Sequence, residues 1–487
     1  MKNNHQKAPL YDALIQYGLH TQVTPFDVPG HKMGRGIPKR FIDDVGEAIF
    51  KIDVNSMKEL DSLSNPIGVI KEAEMLAADF FGADHAFFLV NGSTSGVQNM
   101  IISTCGDNDK IIMPRNMHKS AYNALILSGA EPIYIDPTID EDSGISMGVT
   151  LEETIKTIER HPDAKAILLL HPNYFGYTSN LKEIIDYAHS KNMIVLADQS
   201  HGSHFSLHES FPISATTLGA DLTTISMHKT GGSLTQSSIL LHKNGLVPYS
   251  RVRSTINIAQ TSSASYLLLA SLDIARHHLA LNQATLFDEM VELSLYAKHE
   301  INKIPGFKVL NSSILDGDGI YSHDLTKLTV DVSAYGMTGF KVYDLFKSLY
   351  NIQLELGETH VVLAVISVGD TVASIQTLID AFKSFSQTYP LKVRNGIRSI
   401  RLKIPRMVYT PRQAFFKPST LMELSNSLDC IAADSIMVYP PGIPLVVPGE
   451  LITQEIIDTY IYLTEQNNIV IGSHHKNDGI YIKVLIP

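Results

Sequence analysis

Cysteine is scarce in this chain: Cys105 and Cys430 are the only two among 487 residues. They stand far apart and lack metal-ligand spacing, which excludes a disulfide framework and a cysteine-built metal centre and points to a reducing compartment. Small buried hydrophobes are their simplest role. Positive charge is also in short supply, with 39 Lys and Arg against 50 Asp and Glu and a formal net charge of -11. Phosphate neutralisation needs a basic face, and no Lys/Arg cluster of that kind occurs, so a nucleic-acid partner is not expected. No apolar run approaches the ~20 residues a membrane span requires, and the start "MKNNHQKAPLYDALIQYG" has no apolar core of signal-peptide length. A cytoplasmic protein without a membrane partner is the expectation. Internal repeats, low-complexity linkers and charge blocks are missing too.

What is present is the composition of a packed globular chain, 44% hydrophobic and 18% charged, long enough for two or three domains. Residues 1–41, with "TPFDVPGHKMGRGIP", are rich in turn formers and read as an arm able to pack on a partner subunit. Residues 42–292 carry a different pattern. A helical stretch, "PIGVIKEAEMLAADFFG", leads to the short apolar runs "AFFLV", "KIIMPR", "EPIYID", "AKAILLLHP", "MIVLADQS" and "DLTTISM", with helices such as "LKEIIDYAHSKN" between several of them. Strand alternating with helix predicts an α/β domain whose mainly parallel sheet is covered on both faces. "TKLTVDV" and "VVLAVISV" mark a smaller α/β domain over 293–389. A C-terminal α+β domain over 390–487 contains "YPPGIPLVVPGE", "NIVIG" and "GIYIKVLIP".

In parallel sheets ligands bind beyond the carboxyl ends of the strands, so the residues ending these runs are the ones to inspect. "VNGSTSGVQNM" follows the first strand. Ser93, Thr94 and Ser95 offer hydroxyls there, and a helix starting beside them would point unpaired N–H groups and its positive dipole end at a phosphate. The same residues also make an ordinary helix cap. Asp198 ends "MIVLAD", where a buried carboxylate needs a cation such as a protonated ring nitrogen, or else caps the next segment. His201 and His204 follow, but no further carboxylate or cysteine completes a metal set, so no metal is expected. "DLTTISMHK" brings Ser226, His228 and Lys229 to the same sheet edge. A desolvated amine there suits Schiff-base formation with an aldehyde, while a lysine snorkelling from a strand end is the ordinary alternative. A phosphate cradle, a buried acid, a histidine and a strand-end lysine together fit one cofactor, pyridoxal 5'-phosphate (PLP).

"SMHKTGGSLTQSS" resembles the Ser-x-His-Lys signature of the bacterial Orn/Lys/Arg decarboxylases. "VPGHKMG", "GVIKEAEMLAADFFGADHAFFLVNGSTSG", "PRNMHKSA", "HPNYFGY", "TSSASYLLLASLD", "VGDT" and "YPPGIPLVVPGE" are similar to further family segments in the same order, over nearly the whole chain. The short Bacillus-type arginine decarboxylases, which lack the N-terminal wing of the large inducible enzymes, resemble it most. The resemblance implies the aspartate-aminotransferase-like fold (PLP fold type I) for the large domain. It implies His118 stacked on the pyridine ring, Asp198 on its nitrogen, Lys229 on its aldehyde, and Ser226 and His228 flanking it. Thr261 and Ser262 resemble residues that reach a neighbouring subunit's phosphate, which implies at least a homodimer. Glu355, in "IQLELGETH", and Glu450, in "VPGE", are the two candidates for the substrate's distal cation, each with a structural carboxylate as its alternative.

The implied reaction is decarboxylation of a basic amino acid, arginine to agmatine in polyamine biosynthesis first, lysine or ornithine next, with Lys229 or His228 returning a proton to Cα. An aminotransferase and a non-catalytic PLP-binding regulator are the rivals. Two departures stand out. "DQSHG" at Asp198–Gly202 replaces an expected "DEAHG", and "LGETHVV" departs from the family pattern beside the expected substrate pocket.

Overall fold

The structure is a computed structural model that describes residues 4–310, 319–392, 403–438, 443–465, 470–476 and 479–486. Its largest sheet has seven strands: β1 (His85–Leu89), β2 (Lys110–Pro114), β3 (Glu131–Ile135), β4 (Ala166–Leu170), β5 (Ile194–Asp198), β6 (Leu222–Ile225) and β7 (Ser238–His242). Their spatial order is β1-β7-β6-β5-β4-β2-β3, and only β7 runs antiparallel to its neighbours. Helices cover both faces, so strands such as β6 and β7 are buried throughout and read as continuous apolar or small-polar runs. The six runs anticipated as strands are β1 to β6. Parallel pairing aligns Leu170 with Asp198 and Asp198 with Thr224, so the strand ends that carry chemistry come out side by side.

One close approach fixes the helix Gly92–Thr104 against this sheet. A Cβ on Gly96 would lie 2.0 Å from Thr224 Oγ1, so only glycine lets helix and β6 pack at this distance.

Two features of the packing bear on the expected organisation. The anticipated arm is partly core: Leu10 and Leu14, in the helix Pro9–Ile15, are fully buried against the long helix Tyr266–Asn302. Asp273 of that helix accepts hydrogen bonds from the N–H groups of Leu10 (2.9 Å) and Tyr11 (3.3 Å), capping the short helix from outside. Arg276, 2.6 Å from Asp273 and equally buried, donates to the carbonyl of Lys7 at 2.7 Å. The anticipated junction at 292/293 falls inside the helix Tyr266–Asn302, whose one non-helical residue is Asn282. Apolar residues on both sides of 293 pack into the same core, so no pattern change marks the crossing.

Beyond it lies a four-stranded antiparallel sheet of Lys308–Val309, Lys327–Asp331, Leu356–Gly357 and Val361–Val365, flanked by the helices Gly339–Tyr350 and Val372–Thr388. A two-stranded ribbon, Tyr177–Thr178 with Ser322–His323, ties it to the large sheet. The C-terminal part is α+β: two three-stranded sheets and the helices Pro411–Phe416 and Gln454–Glu465. Residues 439–442 of the Pro-Gly-rich loop, 468–469 of "NIVIG" and the final residue lie outside the described residues.

Candidate active site

A cavity of about 500 Å³ opens at the carboxyl ends of β1, β4, β5 and β6. Nine of the anticipated residues line it: Ser93, Thr94, His118, Asp198, His201, Ser226, His228, Lys229 and Glu355. Each arrives by a short local route from a strand end.

Gly92 adopts φ +67° and turns the chain from β1 into the helix Gly92–Thr104. No side chain caps that helix, so its first-turn N–H groups keep no side-chain acceptor, and its positive end faces the cavity. Ser93 Oγ lies 2.7 Å from Ser226 Oγ and 3.2 Å from Ser238 Oγ, which joins the cradle to the strand ends opposite. Thr94 is exposed to the cavity, whereas Ser95 turns back to donate to the carbonyl of Gly92 at 2.8 Å and does not line it.

His118 is the N-cap of the helix Lys119–Ser128, its Nδ1 accepting from the Ser120 N–H at 3.2 Å. Burial, against the pull of Asp198, lowers its pKa to about 4. It is therefore a neutral ring at neutral pH. Asp198 is buried and accepts from both the N–H (3.1 Å) and the hydroxyl of Ser200. Gln199 explains part of the "DQSHG" departure: its Nε2 donates to the Gly202 carbonyl at 2.7 Å while its Oε1 accepts from the Ala215 N–H at 2.7 Å. A carboxylate has no proton for the first of these bonds.

Lys229 sits in the single helical turn Met227–Thr230, and its Nζ lies 2.8 Å from Nε2 of His201. Burial lowers the Lys229 pKa, with Asp198 and Glu355 opposing and Lys327 assisting. Burial and then the Lys229 charge push the His201 pKa well down, so its Nε2 is an acceptor for the amine. The Tyr174 ring packs on His201 with centroids 4.7 Å apart. His228 donates from Nδ1 to the Ser237 carbonyl at 3.0 Å; burial lowers its pKa, which leaves Nε2 as a bare lone pair.

The remaining anticipated residues lie elsewhere. Glu450 is fully buried, 2.9 Å from Arg115 and accepting from the Val447 N–H at 2.9 Å, and does not line the cavity. Thr261 and Ser262 are exposed in the turn between the helices Tyr249–Ala259 and Tyr266–Asn302, outside the cavity lining. Ser120, Tyr174 and Gln236 line the cavity without having been singled out, and Ser200, from the inspected strand end Asp198–His201, lines it too. Ser200 and Tyr174 stand within "DQSHG" and "HPNYFGY", so proximity to Asp198 and to a strand end was the available signal. Among the described residues no cluster suits a metal ion and no helix is long and apolar enough to cross a membrane.

Several comparisons bear on this site. Residues 8–374 match the family model "Orn/Lys/Arg decarboxylase, major domain", and residues 396–484 match its C-terminal domain. The chain is 41% identical to the arginine decarboxylase of Bacillus subtilis over 461 residues, covering 94% of each chain. It is 40% identical to that of Bacillus anthracis over 452 residues, 92% of this chain and 91% of the relative. Among solved structures, the lysine decarboxylase of Francisella novicida superposes with a TM-score of 0.86 at 23% identity, covering 98% of this chain and 81% of that one. The constitutive lysine decarboxylase of Escherichia coli gives 0.85 at 20% identity, covering 99% and 82%. These two likenesses establish the fold, which is the fold type I architecture anticipated above. The family match across almost the whole length, together with relatives above 40% identity or at it, places this chain among the Orn/Lys/Arg decarboxylases.

Proposed function

We propose that this enzyme uses PLP to decarboxylate arginine, giving agmatine and CO2. The observation that carries the reading is the buried Lys229 amine, shifted toward its neutral form, in one cavity with Asp198, His118 and an uncapped helix N-terminus. The residues fit the cofactor in kind. The first-turn N–H groups at Ser93 and Thr94 suit a phosphate, the buried Asp198 suits a protonated ring nitrogen, the neutral His118 ring suits stacking, and Lys229 suits the aldehyde. When bound, PLP supplies the electron sink for the pair released as CO2 departs.

The chain's own groups account for the rest. Glu355, exposed at the cavity mouth, receives the distal cation of a basic side chain, and a guanidinium allows a two-point contact that an ammonium does not. His201 holds the Lys229 amine by its lone pair. His228 has its one ring proton committed to Ser237, so Lys229 is the better donor of the proton that Cα needs. The relatives called arginine decarboxylases support arginine over lysine or ornithine. A cytoplasmic role in polyamine biosynthesis and a homodimer, with Thr261 and Ser262 reaching the neighbouring phosphate, complete the proposal; the exposure of both residues is consistent with it.

The test supplies PLP-loaded protein with arginine, lysine and ornithine separately and measures CO2 and amine, with Lys229→Ala as control. Agmatine from arginine, absent in the variant, is expected. Amine from lysine or ornithine alone would replace the substrate assignment. Consumption of 2-oxoglutarate without CO2 would make the protein an aminotransferase and overturn the reading.

A further inference from the structure

Behind Lys229, on the side away from the cavity, lies a closed set of polar side chains that the proposed reaction does not use. Asp324 precedes the strand Lys327–Asp331 and is fully buried. Its Oδ1 accepts from Nε2 of His204 at 3.1 Å and from the N–H (3.0 Å) and hydroxyl (2.8 Å) of Thr326. Nδ1 of the same imidazole lies 3.2 Å from the hydroxyl of Thr230, the residue next to Lys229, and that hydroxyl lies 2.5 Å from Ser203 Oγ. A second arm leaves the same carboxylate. Asp324 Oδ2 is 3.6 Å from the ammonium of Lys327, also fully buried, and Lys327 donates to the carbonyl of His201 at 3.4 Å. His201 in turn holds the Lys229 amine.

Carboxylate, imidazole and hydroxyl in this order have the make-up of a nucleophilic triad. Thr230 and His204 are each 1% exposed, however, so no substrate reaches the hydroxyl. A buried ion pair of this kind contributes little net stability beside an apolar replacement, and its use is to specify geometry. Both arms end on groups that place the lysine: one on the next residue of its turn, the other on the loop that carries its hydrogen-bond acceptor.

We propose that Asp324 and Lys327 are positioning residues for Lys229, gripping the His201–His204 loop and the Met227–Thr230 turn from the four-stranded sheet. The reading rests on Lys229 being the amine that captures the cofactor's aldehyde. The ribbon Tyr177–Thr178 with Ser322–His323 fixes the segment that delivers Asp324, and the Asp324 N–H donates to the Gly176 carbonyl at 2.8 Å. The smaller sheet thus sets the direction of an amine carried by the larger one. The titratable groups around the pair include His204, Lys298 and His323 facing Asp324, and Asp198, Glu355, His118, His201 and His228 facing Lys229. Lys327 brings its positive charge to bear on Lys229 as well, which lowers the Lys229 pKa.

The experiment follows capture of pyridoxal 5'-phosphate by the cofactor-free full-length chain as a function of pH. Borohydride reduction freezes the adduct, and peptide mass spectrometry reads its yield at Lys229. Lys327→Met removes the buried cation and should raise the midpoint pH of capture by about half a unit or more. Thr230→Val changes no charge and should leave the midpoint in place while slowing capture about tenfold at high pH. Equal midpoints and equal rates for wild type and both folded variants would overturn the inference. Should Lys327→Met fail to fold, the capture rate of Thr230→Val decides alone. A wild-type chain that forms no adduct at Lys229 would instead overturn the proposed function, so the two failures are distinguishable.

Discussion

Nζ of Lys229 lies 2.8 Å from Nε2 of His201, and the imidazole is held neutral by burial and by the lysine's own charge. The pair is one directed hydrogen bond, amine to lone pair, and it aims the amine into the cavity. Replacing His201 by Phe keeps a ring against Tyr174 and removes the acceptor. We expect kcat to fall about a hundredfold with little change in thermal stability, because misplacing a reacting group is costly even when the fold survives. Steady-state kinetics beside a thermal melt checks this; an unchanged kcat would leave His201 a packing residue.

Glu450 tests the division between substrate recognition and architecture. Its carboxylate pairs with Arg115, the residue that follows β2 and stands 335 residues earlier in sequence, and both groups are buried. Burial pushes the Glu450 pKa up against the pull of Arg115, so the pair is held together at the expense of hydration. Glu450→Gln leaves the guanidinium without its counter-charge and should cost about 3 kcal/mol of stability. KM should stay within about twofold, since the residue does not line the cavity. Glu355→Gln should do the reverse, raising KM at unchanged melting temperature.

Gly96 controls how near the helix Gly92–Thr104 approaches β6. Alanine there meets Thr224 Oγ1 at 2.0 Å and Thr224 Cβ at 2.8 Å, so helix or strand must shift. A loss of about 1 to 3 kcal/mol is expected, of the size overpacking produces. The same shift displaces the N–H groups at Gly92–Thr94, so weaker PLP binding should accompany the lowered urea midpoint.

His171 bears on acid stability. It is buried, Nε2 donates to the Ile213 carbonyl at 2.8 Å, and burial lowers its pKa to about 4 from the usual 6.5. The folded state therefore binds fewer protons than the unfolded one between these two values. The sign follows: this stability is fully present above about pH 6.5 and is lost as pH falls toward 4, reaching about 3 kcal/mol for the single group. Urea unfolding of wild type and His171→Asn at pH 7 and pH 5 checks it, with a smaller pH dependence expected in the variant.

Much of the site was legible because strand-end chemistry is a local pattern. "MIVLAD" and "DLTTISMHK" each announce a buried strand by their apolar runs, and parallel pairing then puts Asp198 and Lys229 on one edge without any further information. Gly92 and the hydroxyls after it were legible for the same reason. The burial of the N-terminal helix was not legible, because turn formers at 21–38 outweigh the apolar pair Leu10 and Leu14, whose burial depends on a helix some 260 residues away.

By itself the amino-acid sequence determined the α/β alternation, the polar residues at the strand ends, and the placement of a carboxylate and a strand-end lysine on one sheet edge. Those depend on periodicity and on neighbours a few residues apart. Only the tertiary structure put Glu355 in the cavity lining and Glu450 outside it, turned Ser95 away from the cavity, and joined Asp324 to His204 across 120 residues. A carboxylate's role is set by which cation it meets once the chain is packed, and no local pattern carries that information.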